Sequence, residues 1–336
     1  MIRLAAMGAL GPASFGAVLL LVLFGVMALV LAASGDVRPL LDGTADEWLT
    51  QDVRVAVVLS LMLAYLPAAQ CWVGARAERT LRELTPVLAL DPDEMDQQAA
   101  RITFIDRRGH RRACLTGLAI VFGLAFVPEV VATATDDLGE LPGIAILHRL
   151  WVAGIGLLTG STYAFGRAAS ARLARLTREN GRLDLFDLRP WRPLGRLGLI
   201  NAFSNAGVIS LVLLLVPDRY AGEGLAWSLV VFVVGGAVLA AIGLVMPRVG
   251  LRECIRNEKR ARLDDYHREL ASLMDDTAPA TGRLADLAAY KRLLDDVSEW
   301  PLDLPQLGRF ALLFGLPLLS WIAAALVERL LDRVIG

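Results

Sequence analysis

The chain has 336 residues, is 55% hydrophobic and has a mean hydropathy of +0.52, more apolar than a soluble domain of this size usually is. Its net charge of −1 gives no bulk attraction for nucleic acid, so no nucleic-acid partner is expected. Charged residues still make up 21%, but they are segregated into loops between apolar stretches of about 20 residues, the length that crosses roughly 30 Å of hydrocarbon. The three cysteines, Cys71, Cys114 and Cys254, are odd in number and lack a CxxC partner, which argues against a disulfide framework. Lysine is confined to Lys259 and Lys291 beside many arginines, a compositional pointer to a bacterial source.

Seven apolar runs follow one another. The first, Ser14–Ala33, ends in Ala32-Ala33-Ser34, which looks cleavable, but its length favours an uncleaved anchor over a signal peptide. The others are Val53–Val73, Ala113–Val131, Leu150–Gly166, Leu197–Val216, Leu225–Met246 and Phe310–Val327. Pro317 interrupts the seventh, which reads either as a full crossing or as a re-entrant segment; crossing is the leading expectation.

Arginines follow alternate connections. The first connection carries Asp36, Asp42, Asp46, Glu47 and Asp52 against Arg38 alone. The second carries Arg76, Arg79, Arg82, Arg101, Arg107, Arg108, Arg111 and Arg112. The third is acidic around Asp136, Asp137 and Glu140, and the fifth is short, with Asp218, Arg219 and Glu223. The fourth runs through Arg167, Arg172, Arg175, Arg178, Arg182, Arg189, Arg192 and Arg196, and the sixth is again basic. Under the positive-inside rule the second, fourth and sixth connections and the N-terminus are cytoplasmic, and the C-terminus is outside. The expected location is a bacterial inner membrane.

Helices in lipid associate through small residues and buried polar contacts. The fourth run has Gly156 and Gly160 at GxxxG spacing, and the sixth has Gly236, Ala240 and Gly243. The fifth run carries Asn201, Ser204 and Asn205 as a polar stripe. The stripe reads first as interhelical hydrogen bonding and second as the lining of an ion or solute path. A path would normally bring an intramembrane acid or base as well. Glu129, after Pro128, is the candidate, and its place near the outer end of a run suits an interfacial carboxylate.

The sixth connection is the best-defined soluble piece. Pro247 ends or kinks the preceding helix. Leu263, Tyr266, Leu270 and Leu273 recur at helical spacing, and after the breaker at residues 275–282 so do Leu287, Tyr290, Leu294 and Val297. Two such stripes predict an antiparallel helical hairpin, too short for an autonomous coiled coil. Arg248, Arg252, Arg256 and Arg260 fall four residues apart. They read as an ordinary positive flank or, more sharply, as a docking stripe for anionic lipid headgroups or an acidic cytoplasmic protein. In the fourth connection LDLFDLRPW, Leu183–Trp191, suits an interfacial segment. In the second, residues 78–90 predict a helix, and Asp91-Pro92-Asp93-Glu94 predicts the start of another.

Motifs for chemistry are missing. His110, His148 and His267 form no HxxxH or HExxH pair, and the chain has no GxxxxGK[ST] and no GxGxxG unit after a strand. No catalytic, cofactor-binding or metal residue is assigned and no cofactor is expected, although Ser-His-Asp geometry is not readable from sequence. Leu183–Pro190 with Gly195–Leu199, Arg248–Lys259, and Glu299–Asp303 with Leu316–Trp321 and Leu326–Leu330 resemble a group of uncharacterised prokaryotic multi-pass membrane proteins. The resemblance covers roughly the C-terminal half and implies no activity or site residues.

The expected fold class is all-α: a polytopic transmembrane bundle of about seven spans with a cytoplasmic antiparallel hairpin. Residues 1–246 hold six spans with basic loops 75–112 and 167–196, residues 247–308 the hairpin, and residues 309–336 the seventh span and tail. The expected function is a non-enzymatic scaffold or signalling component acting through its cytoplasmic helices, with a homo-oligomer among the expected partnerships. The alternative is a channel or transporter with the Asn201/Asn205 helix lining a path.

Overall fold

The computed structural model describes residues 11–44, 47–102, 104–133, 143–214, 223–274, 281–298, 300, 308–312 and 315. Outside them lie the third connection at 134–142, the fifth at 215–222, the breaker at 275–280 and most of the seventh run; the side chain of Glu129 lies outside as well. Every regular element among the described residues is helical: α1 (Pro12–Ser34), α2 (Val37–Leu41), α3 (Glu47–Glu83), α4 (Pro92–Arg101), α5 (Arg107–Thr133), α6 (Gly143–Asn180), α7 (Arg192–Leu213), α8 (Glu223–Val245), α9 (Val249–Met274) and α10 (Thr281–Asp296). Among the described residues, four stretches are long and apolar enough to cross a membrane: Pro12–Ser34, Asp52–Glu83, Arg189–Leu213 and Val233–Met274. The third and fourth apolar runs fall within α5 and α6.

Local sequence accounts for the helix ends. Pro12 opens α1, where its missing N–H leaves no partner unsatisfied. Gly35 closes α1 at φ 83°, a left-handed cap that brings its N–H to Ala32 O and that an L side chain would strain. Asp91 and Pro92 start α4 with Asp93 and Glu94 in the first turn, as the sequence predicts. The predicted helix over 78–90 is instead the end of α3 followed by a 3₁₀ turn at Thr85–Val87, where Pro86 breaks the helical ladder. Pro247 sits in a 3₁₀ turn, Met246–Arg248, that joins α8 to α9.

α3 is the central helix, packing against α1, α6 and α7. Half of its apolar window is buried, 50%, against 6% for α1, so α1 lies on the periphery. α1 docks through Gly16 beside Ala68 and through Leu23, Met27 and Val30, leaving Leu21 and Leu29 about 70% exposed. At the α1/α3 end of the bundle, Ala56, Leu59, Met62, Leu63, Leu66, Leu147, Trp151 and Ile155 form one apolar cluster.

α5 and α6 are in backbone contact. A Cβ added to Gly156 would lie 2.8 Å from Leu118 Cα, and one added to Gly117 would lie 2.6 Å from Gly160 N. The predicted GxxxG face is therefore in use, and its partner is Gly117. The small face of α8 meets α7: Ala240 and Ala202 are fully buried, and a Cβ on Gly243 would stand 3.3 Å from Asn201 Cβ.

At the other end, the second, fourth and sixth connections close into a second core. Leu81 and Leu84 from α3, Met95 and Ala99 from α4, Leu173 and Leu176 from α6, Leu194 and Leu197 from α7, Ile255 from α9 and Leu294 from α10 all belong to it. A two-bond bridge ties two of the connections, Ala89 N to Asn180 O and Arg182 N to Val87 O, both 2.8 Å. We call this end the platform. Trp191 is 3% exposed and packs into the platform core, so the segment at 183–191 is not wholly interfacial; Phe186 alone of its aromatic residues stays outward, at 58%.

Candidate interaction face and intramembrane polar contacts

The platform face begins with the four arginines spaced by four. An α-helix turns about 40° beyond a full circle in four residues, so such a row spirals off any one face. The structure divides it accordingly. Arg248 is 1% exposed and donates from Nη1 to Leu244 O and from Nη2 to Gly195 O, each at 3.1 Å. It fastens α7 to the α8–α9 turn and is not a surface contact, which corrects its expected place in the docking stripe. Arg252 lies with its guanidinium 4.3 Å from the centre of the Trp300 ring, a cation–π contact. Arg256 and Arg260 are exposed and remain available.

α9 lies against α10. Tyr266, Leu273 and Leu287 are buried together, with Leu270, Leu284 and Tyr290 against them. Lys259 Nζ donates to Asp295 O and Val297 O at 3.2 and 3.0 Å, while Arg283 reaches Glu269 at 3.5 Å. Of the residues singled out at helical spacing, Tyr266, Leu270, Leu273, Leu287 and Tyr290 make the contact, joined by Leu284. Leu263, Leu294 and Val297 continue it into the platform core.

Other platform arginines are in ion pairs: Arg178 with Glu253, and Arg196 with Glu83 at 3.6 Å. These pairs are exposed and each is worth about 0–1 kcal/mol, so apolar burial, not charge, holds the platform. Arg172 is set apart. It lies 5.7 Å from the Phe104 ring, and burial, with Arg175 and Arg101 adding to it, holds its guanidinium below the ordinary arginine range.

The polar stripe of α7 faces its neighbours. Asn201 is 7% exposed and Ser204 6%. Asn201 Nδ2 donates to Ser170 Oγ of α6 at 3.5 Å, and Asn205 Nδ2 donates to Asn201 O at 2.9 Å. Tyr65 of α3 donates its hydroxyl to Ser204 O at 3.0 Å and packs on Gly207. The Ser170 and Tyr65 bonds join α7 to α6 and α3, as interhelical polar contacts in a membrane do, while the Asn205 bond stays within α7. Asn201 Oδ1 is buried without a hydrogen-bond partner.

Two contacts were not foreseen. Tyr65 carries no signal in an apolar run. Gly250 lies against the Ala174 backbone of α6 and lets α9 approach closely, followed one turn later by Cys254, whose Sγ donates to Thr177 O at 3.2 Å. Gly250 and Cys254, small residues four apart among the arginines, are the signal the sequence carries there. Among the described residues no group of three or more His, Cys, Asp or Glu converges as a metal site would. Comparison with family models, curated proteins and solved structures finds no match to this chain.

Proposed function

We propose that the chain is a non-enzymatic, seven-span protein of a bacterial inner membrane, and that its platform is a cytoplasmic scaffold or signalling surface. The N-terminus is then cytoplasmic and the C-terminus outside, and α9 with α10 forms the cytoplasmic hairpin. The observation that carries the reading is that all three arginine-rich connections meet in one hydrophobic core at one end of the bundle. That is the arrangement alternate crossing of the membrane requires, and positive charge assigns the end to the cytoplasm. The exposed groups there, Arg256, Arg260 and the 56% exposed Leu293, suit anionic headgroups, a cytoplasmic protein or a second copy of the chain.

The test is the mass of the full chain in lipid nanodiscs, with crosslinking through Leu293→Cys in a chain whose native cysteines are replaced. Self-association that crosslinks at this position is the expected result. A monomer at all concentrations, without crosslinks, sinks scaffolding by self-association. Reporter activity in the cytoplasm after Gly336 overturns the seventh crossing.

Transport along α7 is the second reading, favoured by the buried, unpartnered Asn201 Oδ1. It expects ion or solute flux in proteoliposomes that changes when Asn201 and Asn205 are replaced by Leu.

A further inference from the structure

We propose that a pocket at the start of α7 binds the phosphate of an anionic glycerophospholipid headgroup. The pocket has a volume of about 210 Å³, and its lining includes Phe186, Asp187, Arg189, Trp191, Arg192 and Arg248. The inference rests on the membrane reading of the bundle but not on the scaffold reading of the platform.

Charge is the first argument. Three guanidinium groups line the pocket against one carboxylate, and that carboxylate is already engaged: Asp187 Oδ1 accepts from Arg189 N and Nε, each at 3.1 Å. Arg248 is 1% exposed and held by the carbonyls of Leu244 and Gly195, so its positive charge is a fixed part of the wall. Arg192 is exposed and, among the described residues, in no ion pair, and Arg189, though its Nε holds Asp187, is itself exposed at the rim. The N-terminal end of α7 adds the positive end of its dipole.

Position is the second argument. The apolar stretch Arg189–Leu213 begins at the pocket, and the apolar part of Val233–Met274 reaches the platform at the turn that carries Arg248. The pocket therefore lies where two membrane-competent helices enter the arginine-rich platform, the level at which lipid phosphates sit. Basic pockets between membrane helices on the cytoplasmic side recognise phosphate headgroups. Phe186, 58% exposed, adds an apolar rim of the kind interfacial segments present to lipid. Size is the third. The pocket is smaller than the roughly 300–1,000 Å³ that encloses a whole small-molecule ligand. It suits a headgroup whose acyl chains stay in the bilayer.

Full-length protein in detergent is titrated with phosphatidylglycerol or phosphatidylcholine, and bound lipid is counted by native mass spectrometry. The wild type should hold phosphatidylglycerol at least about tenfold more tightly than phosphatidylcholine. The double variant R189Q/R192Q should lose about ten- to thirtyfold in that affinity, from two guanidinium contacts near the headgroup. R189K/R192K should retain most of it, which separates loss of charge from loss of fold. R256Q/R260Q, on the α9 surface, should leave it unchanged. Equal binding of the two lipids, or no change in R189Q/R192Q, overturns the proposal. Loss in R256Q/R260Q instead moves the lipid site to α9 and also overturns it. Inorganic phosphate displacing the lipid at equal affinity makes free phosphate the ligand and overturns the lipid assignment. A chain that proves monomeric sinks scaffolding by self-association and leaves this proposal standing.

Discussion

Leu66 and Leu81 lie on the same helix, α3, and both are almost wholly buried, at 2% and 0% exposure. Leu66 packs with Leu59, Trp151 and Ile155 inside the bundle, and Leu81 packs with Leu173, Leu194 and Leu294 inside the platform. By contacts alone the two are equivalent. They differ in where each side chain goes when the helices separate. On the proposed membrane reading, Leu81 goes into water and loses the hydrophobic transfer energy, whereas Leu66 goes into lipid, which is as apolar as the core it left. On that reading one end is held by burial from water, the other by close backbone approach and a few polar bonds. The Gly117, Gly156 and Gly160 contact of α5 with α6 is the plainest instance of the second kind.

The largest effect expected is the one that tests this difference directly. Leu81→Ala should destabilise the protein by about 2–5 kcal/mol, transfer and cavity together. Leu66→Ala should cost less by about 1.5–3 kcal/mol, the part due to removal from water. Detergent-titrated unfolding in bicelles reads both. Equal losses would mean that both ends face the same solvent, and the membrane reading of the bundle would fail.

A steric contact should not feel the solvent. Gly160 lies against the Ala113 backbone within the bundle, and Gly250 lies against the Ala174 backbone beneath the platform. In each case an added Cβ meets backbone that no side-chain rotation can move aside. Gly160→Ala and Gly250→Ala should each cost about 1–3 kcal/mol, and by similar amounts, since overpacking has the same origin at both ends. The same unfolding experiment measures them. A large loss at Gly250 alone would mean that α5 and α6 can slide apart freely, and close approach would not be what holds the bundle.

Much of this was legible because periodicity survives in sequence. Leu263, Tyr266, Leu270 and Leu273 repeat at helical spacing, and they face α10 or the platform core as that spacing predicts. Asp91 and Pro92 announce α4 by local chemistry alone. The small residues of α6 were legible as a face; its partner, Ala113 and Gly117 four residues apart in α5, carries the same kind of spacing but with a single glycine. Trp191 was misplaced for a similar reason. LDLFDLRPW has no helical or strand period, so only the tertiary packing decides which of its apolar residues turn inward. Arg248 was grouped with Arg256 and Arg260 by spacing, but it precedes α9 in a 3₁₀ turn, where helical spacing no longer fixes direction.

The smallest expected effect concerns Asn201. Its bond to Ser170 is long, 3.5 Å, and its Oδ1 is buried without a partner. Within lipid, interhelical polar pairs average about 0.6 kcal/mol in double-mutant cycles and reach about 1.7 kcal/mol at most, because separated helices also find partners. A cycle of Asn201→Ala with Ser170→Ala should therefore give a coupling of about 0.6 kcal/mol or less. If α7 only packs, Asn201→Ala alone should change stability little, since it removes a weak bond and an unsatisfied acceptor together. A coupling above about 1.7 kcal/mol would exceed what a bare interhelical pair supplies and would point to a further polar group, a water or an ion, bound at Asn201. That outcome would strengthen the transport reading and break the distinction between a bundle stitched by packing and a platform held by burial.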